Sequence, residues 1–275
     1  MGRSPNFLIV GAMRSGTSSL ASYLDGHPQV FVTPRKEIHY FNRFFDQGFD
    51  WYLEHFAGAG DTPQVGEATP NYIYHPIAMK RIAEALPDAK IIAILREPAA
   101  RAYSHYWFNH ARGNEALSFE EAIAAEPDRL SGGDELARAR ASYVDRGRYA
   151  DQLERIASYF PPEQVHVLLF EDLTMNTQRT FAEVCQFLGV DSSPIGADLE
   201  RKVNVYFRVR WPALKRAVRP FPKPIRTAVS LINRAKADPY PPMSAEMADH
   251  LAAVFAAPNQ RLSKLLGRQL DEWQP

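Results

Sequence analysis

Three short, nearly unbroken apolar runs punctuate the chain, at Phe7–Val10, Ile91–Leu95 and Val165–Phe170. Runs of this length without alternation predict strands buried on both faces, the pattern of a parallel sheet covered by helices. Shorter extended pieces are predicted at Val30–Thr33 and Gln64–Glu67. Between them the apolar residues fall at helical spacing: Met79, Ile82, Ala83 and Leu86 behind Pro76; Tyr149, Leu153 and Ile156; and Phe181, Val184, Cys185 and Leu188, closed by Gly189. Strand and helix alternate, which predicts an α/β fold. Ser118-Phe119-Glu120-Glu121 forms a capping box that opens a helix toward Ala125, and Pro127–Gly133 reads as an exposed loop. Near the end, Ser244–Ala256 and Asn259–Leu266 are predicted as two short helices.

Composition narrows the class of protein. The 275 residues carry 32 Lys+Arg against 32 Asp+Glu, and 45% are hydrophobic, so the chain is expected to fold as one globular domain over residues 1–275. Zero net charge argues against a dedicated nucleic-acid binder, which needs a basic excess to neutralise phosphates. Cys185 is the single cysteine, which excludes an internal disulfide and a thiolate-rich zinc site. Its place on the apolar stripe of a helix predicts a core thiol rather than a reactive one. The apolar run near the start is too short for a secretory signal or a membrane span, so a cytoplasmic protein is expected.

Candidate chemistry begins directly after the first strand. Gly11-Ala12-Met13-Arg14-Ser15-Gly16-Thr17-Ser18-Ser19-Leu20 is a glycine-bracketed loop that runs into a helix start, where unpaired N–H groups and the helix dipole favour an anion. The glycines have the four-residue gap of a Walker A loop, yet Thr17 stands where that motif carries its lysine. A nucleotide triphosphatase also needs a metal-holding carboxylate at a neighbouring strand end, and here that position reads Arg96-Glu97-Pro98. A second anionic group, bound without magnesium, fits better than a kinase.

These two elements resemble those of sulfotransferases that use 3′-phosphoadenosine 5′-phosphosulfate (PAPS), in the branch that includes bacterial members and heparan sulfate sulfotransferase domains. The resemblance runs from Phe7 to about Gly189, more loosely to Trp273, and implies the P-loop-like parallel sheet of that family. It implies that Arg14, Ser15, Gly16, Thr17, Ser18 and Ser19 hold the 5′-phosphosulfate, and that Arg96 with Ser104, eight residues on, binds the 3′-phosphate. A helix starting near Pro98 carries Ser104 about two turns in, on a face reachable from the strand end.

Moving a sulfuryl group to a hydroxyl requires a base for the acceptor's proton and positive charge near the leaving phosphate. Arg35-Lys36-Glu37-Ile38-His39-Tyr40-Phe41 offers both and resembles a family element whose glutamate is the base. Glu37 is therefore expected to be the general base, and Lys36 to orient it or meet the sulfate. In an extended segment His39 points the same way as Glu37, where it can position substrate or serve as base itself. Gly66-Glu67-Ala68-Thr69-Pro70-Asn71-Tyr72 resembles a segment lying across the active site, with Ala68 where some relatives have lysine. Glu67 and Thr69 are expected to contact substrate or to support residues that do; alternatively the segment is a turn led by Pro70 and Asn71.

From Arg201 to Ala237 there are eleven Lys or Arg residues and no Asp or Glu. By resemblance Arg201, Lys202 and Asn204 touch the nucleotide. The rest admits three readings: a surface for an anionic saccharide, a contact with an acidic membrane beside a lipid-linked acceptor, or a solvated lid. The sequence thus points to a metal-independent, PAPS-dependent sulfotransferase acting on a carbohydrate or lipid-linked acceptor. Its rivals are a P-loop kinase and a noncatalytic, membrane-peripheral nucleotide binder.

Overall fold

The computed structural model describes residues 3–132, 138, 140–192 and 240–273, with short pieces at 207–209, 217–218, 221–222, 228–229 and 234–236. In chain order the elements are β1 (Phe7–Gly11), α1 (Thr17–Asp25), β2 (Val30–Val32), α2 (Phe49–Glu54), β3 (Gln64–Ala68), α3 (Ala78–Ala85), β4 (Lys90–Leu95), α4 (Pro98–His110), α5 (Phe119–Ala124) and α6 (Glu126–Ser131). They continue with α7 (Tyr149–Ala157), β5 (Val165–Leu169), α8 (Phe170–Met175), α9 (Thr177–Leu188), β6 (Phe207–Val209), β7 (Arg234–Lys236) and α10 (Ala245–Leu266). The chain divides into two compact units, with boundaries after Pro98, Gly147, Val203 and Phe255.

The first unit holds a five-stranded sheet in the order β2-β3-β1-β4-β5, with every pairing parallel. The apolar runs form its interior: β1 is buried at all five positions and β4 at all but Lys90. Side chains alternate across the sheet. Leu8, Val10, Ile91, Ala93 and Leu95 face one core, shared with Met79 and Ile82 of α3 and Tyr149, Leu153 and Ile156 of α7. Phe7, Ile9, Ile92 and Ile94 face the other, shared with Leu20 and Leu24 of α1 and Phe181, Val184, Cys185 and Leu188 of α9. Burying each large side chain of this kind contributes about 1.5–3 kcal/mol. The chain leaves β1 toward β2 and β3 on one side and returns to β4 on the other. The strand order therefore reverses between β1 and β4, and the crevice at such a reversal is where open α/β sheets bind ligands.

The predicted elements appear with three corrections. Phe170 leaves the third apolar run to begin α8, so its ring is not part of β5. The segment expected to loop at Pro127–Gly133 begins as helix α6, because a proline at the first helical positions costs no hydrogen bond. The two expected C-terminal helices are one, α10, running through Pro258; buried Leu251 and Phe255 before it and Leu262 after it anchor both halves. Gly189 closes α9 in the left-handed conformation at φ 80°. The capping box is complete, with the Glu121 N–H donating to Ser118 Oγ at 3.2 Å and the Ser118 N–H to Glu121 Oε2 at 2.8 Å.

The second unit packs Ala102, Tyr103 and Tyr106 of α4 against Phe119, Ala122 and Ile123 of α5, together with Leu251 and Phe255. Its interior is unusually polar. The buried Glu126 carboxylate accepts the N–H groups of Tyr143, Val144 and Asp145 at 2.7, 2.7 and 2.8 Å. Glu115 takes two hydrogen bonds from Arg129, at 2.6 and 3.1 Å, and one from the Tyr143 hydroxyl at 3.0 Å. Burial alone raises the Glu115 carboxyl, but the hydrogen bonds from Arg129, Leu117 and Tyr143 outweigh it and hold the group below its ordinary value. Within the basic stretch β6 and β7 pair antiparallel, Phe207 opposite Lys236.

Candidate active site

The loop between β1 and α1 turns at the reversal point of the sheet. The Ala12 N–H donates to Ile94 O at 2.7 Å and so ties the loop to β4. Gly16 stands at the N-cap with φ 88°, and no side chain caps the helix end, which leaves the first-turn N–H groups to a ligand. A Cβ at Gly16 would come within 2.9 Å of the Phe170 ring and would also meet left-handed strain. Ser15 is fully buried, and its hydroxyl finds no partner among the described residues. An orphaned hydroxyl behind an uncapped helix end suits an oxyanion. Thr17 is buried, while Ser18 and Ser19 in the same turn are half-buried.

Arg96 follows β4 and is held on three sides. Its Nη1 donates to Arg14 O at 3.2 Å, its guanidinium lies 4.9 Å from the centroid of the Phe170 ring, and its carbonyl accepts the Tyr149 hydroxyl at 2.9 Å. The next residue is fixed as well, the Glu97 N–H donating to Glu171 Oε1 at 3.0 Å. Arg14 itself has φ 73°. Phe170 and Glu171 carry no signal of this role in the sequence, because they lie inside and beside a plain apolar run.

A cleft of about 230 Å³ joins the loop to the proposed base: Thr17 and Ser18 form part of one wall, Lys36 and Glu37 part of another, and Ala68 and Pro70 lie at the end of β3. Four of the predicted residues are thus brought together. Glu37 and His39 meet, His39 Nε2 lying 3.3 Å from Glu37 Oε2, but not through an extended segment. Both residues take left-handed backbone angles, φ 54° and 58°, each a cost of roughly 1–2 kcal/mol for a residue with a Cβ. The opposite ring nitrogen, Nδ1, lies 3.2 Å from Asn42 Oδ1. Nδ1–H donating to Asn42 Oδ1 turns the Nε2 edge of the ring toward the Glu37 carboxyl.

Glu67 and Thr69 have no exposed surface, and neither presents an atom to solvent. Strand alternation turns Glu67 away from the cleft that its neighbour Ala68 lines. Its carboxylate accepts the hydroxyls of Tyr52 at 2.8 Å, Thr69 at 2.6 Å and Tyr72 at 2.9 Å. Burial pushes the Glu67 carboxyl above its ordinary value, opposed by these hydrogen bonds and by the charge of His39. The turn expected at Pro70 and Asn71 is present, with the Tyr72 N–H donating to Thr69 O at 3.1 Å. Ser104 lies in the second unit, buried on α4 at 2% exposure. Arg201, Lys202 and Asn204 lie outside the described residues. Among the described residues no cluster of three or more His, Cys, Asp or Glu is placed to hold a metal, and no helix is long and apolar enough to cross a membrane.

Comparison with known proteins gives concordant matches. The model of the sulfotransferase domain family matches residues 4–206. The mouse (Mus musculus) bifunctional heparan sulfate N-deacetylase/N-sulfotransferase 3 is 31% identical over 287 residues, which cover 98% of this chain and 31% of that protein. The membrane-associated sulfotransferase kil1 of Dictyostelium discoideum is 25% identical, over 98% of this chain and 66% of that protein. The chain therefore spans about a third of the length of the mouse relative. Among solved structures, a sulfotransferase from Alicyclobacillus acidocaldarius superposes with a TM-score of 0.76 at 30% identity, covering 98% of this chain and 99% of that one.

Proposed function

The chain belongs to the sulfotransferase domain family, and on that premise we propose that it transfers the sulfuryl group of PAPS to a hydroxyl of a saccharide or lipid-linked acceptor, releasing adenosine 3′,5′-bisphosphate. The observation that carries this reading is the shared cleft, in which Thr17 and Ser18 of the phosphate loop stand with Lys36 and Glu37. The relatives that act on heparan sulfate support a carbohydrate-like acceptor.

In the proposed reaction the acceptor oxygen bonds to sulfur as the bond from sulfur to the 5′-phosphate oxygen breaks. That electron pair leaves on the phosphate, and the hydroxyl proton passes to the Glu37 carboxylate. Arg14, the free N–H groups at the start of α1, and the hydroxyls of Ser15, Thr17, Ser18 and Ser19 take up the negative charge of the departing group. Lys36, which lines the cleft, supplies positive charge there in place of the lysine that Ala68 does not provide, and Arg96 takes the 3′-phosphate. His39 keeps Glu37 oriented through their contact. As in phosphoryl transfer, positioning and electrostatics carry the rate, with no covalent intermediate on the protein.

Calorimetric titration with adenosine 3′,5′-bisphosphate in EDTA, and separately with ATP plus magnesium, tests the reading. Micromolar or tighter binding of the bisphosphate without metal is expected. Binding of ATP alone, dependent on magnesium, would replace this proposal with a kinase.

A further inference from the structure

Beside the cleft, the Glu67 carboxylate is fully buried, with no surface open to solvent. Glu67 stands on the sheet face of Leu8 and Val10, its register partner across β1 being Leu8, where an aliphatic side chain would need no hydrogen bond. Instead the site supplies three hydroxyls to one carboxylate. The rings behind two of them continue into the catalytic loop. Tyr52 stacks on Tyr40 at 4.7 Å between centroids and meets Phe41 edge-on at 5.1 Å, and Tyr72 meets Phe41 edge-on at 5.5 Å. Tyr40 and Phe41 directly follow His39, and with Ile38 they are the buried anchors of the segment. Directly before Ile38 and directly after it, Glu37 and His39 hold their left-handed angles, which persist only where surrounding structure over-determines them.

We propose that Glu67 is a positioning residue: by fixing the Tyr52 and Tyr72 hydroxyls it sets the rings that clamp Tyr40 and Phe41, and through them the Glu37–His39 geometry. The inference rests on Glu37 being the base. It gives this chain a device for orienting the base from the far side of β3, without a group in the cleft.

The test uses the full chain and the variants Glu67→Gln, Tyr72→Phe and Tyr52→Phe/Tyr72→Phe, which keep side-chain shape and remove charge or hydroxyls. Three quantities are read: bisphosphate affinity, the His39 ring-proton resonances assigned with His39→Gln, and turnover of PAPS with fully desulfated heparan sulfate as probe acceptor. Expected are affinities within two-fold of the parent, displaced His39 resonances, and a kcat at least ten-fold lower with acceptor KM within two-fold. Unmoved His39 resonances in the folded variants, or a kcat within two-fold of the parent, overturn the positioning role. If the double variant does not fold, Tyr72→Phe alone decides by the same criteria. A parent that neither binds bisphosphate nor turns over PAPS overturns the sulfotransferase reading instead, and the resonances then decide separately whether Glu67 holds the loop.

Discussion

The guanidinium of Arg96 lies over the Phe170 ring, 4.9 Å from its centroid, while its Nη1 donates to the carbonyl of Arg14. A cation held this way is oriented before any ligand arrives, so little ordering remains to oppose binding. Arg96→Ala is expected to weaken bisphosphate binding about 10- to 100-fold, the size of one hydrogen bond to a charged group. An analogue without the 3′-phosphate is expected to lose far less. Calorimetry with both ligands checks this, and equal losses would remove Arg96 from the 3′-phosphate site.

Glu37→Gln keeps the volume of the side chain and its place beside His39 but cannot take a proton. Bisphosphate affinity is expected to stay within two-fold while kcat falls about 10²- to 10⁴-fold, the range typical of a lost general base. Single-turnover measurements separate the two effects. Near-parental turnover would pass the role to His39.

Much of the sheet was legible because a strand buried on both faces must be apolar throughout, so Phe7–Val10 and Ile91–Leu95 declared themselves. The turn from β1 into α1 was legible for a similar reason, since the glycine spacing answers a backbone requirement, met at Gly16 with φ 88°. The segment Arg35–Phe41 was only half legible. Glu37 and His39 were paired on the assumption of an extended segment, yet they meet through two left-handed residues that single-residue patterns do not signal. The clamp of Tyr52, Glu67 and Tyr72 was not legible, because its members come from α2, β3 and the turn that follows, and only tertiary packing assembles them. Helix α6 was missed because Glu126-Pro127 reads as a break until the Glu126 carboxylate is seen binding three backbone N–H groups.

The two buried glutamates of the second unit are expected to respond oppositely to pH. The Glu115 carboxyl is lowered, so its stabilising contribution is present above the ordinary value of 4.5 and is lost as pH falls through the folded value. The Glu126 carboxyl is raised by burial, against its backbone hydrogen bonds, so its contribution is present below 4.5 and is lost as pH rises through the folded value. Glu115→Gln is expected to cost about 1–3 kcal/mol at pH 7, through partners left unsatisfied, and progressively less in acid. Urea melts between pH 3 and 7 read the difference; a cost that does not depend on pH would show that charge at Glu115 is irrelevant.

Burial pushes the Cys185 thiol up to about 11, with the nearby Asp191 charge adding to it. At pH 8 the folded protein is expected to resist a thiol-specific disulfide reagent and to react fully once unfolded. Rapid labelling of the native state would mean that α9 opens readily from the sheet, and hydrogen exchange in that helix would then be fast.

Helix α1 supports two unlike jobs along nine residues. Its first turn, at Gly16 and Thr17, is locked by backbone geometry and by Phe170, and has almost no freedom to change. Its last turns present Ser22 and Asp25, exposed and lining the same cleft, while Leu20 and Leu24 on the opposite stripe hold the helix to the sheet. Residues at that far end can be exchanged without disturbing either the anion end or the core. On the proposed reading of the cleft, divergence toward new acceptors has a route with few mutational side effects, and a library randomised at positions 22 and 25 is expected to sample selectivity on an intact scaffold.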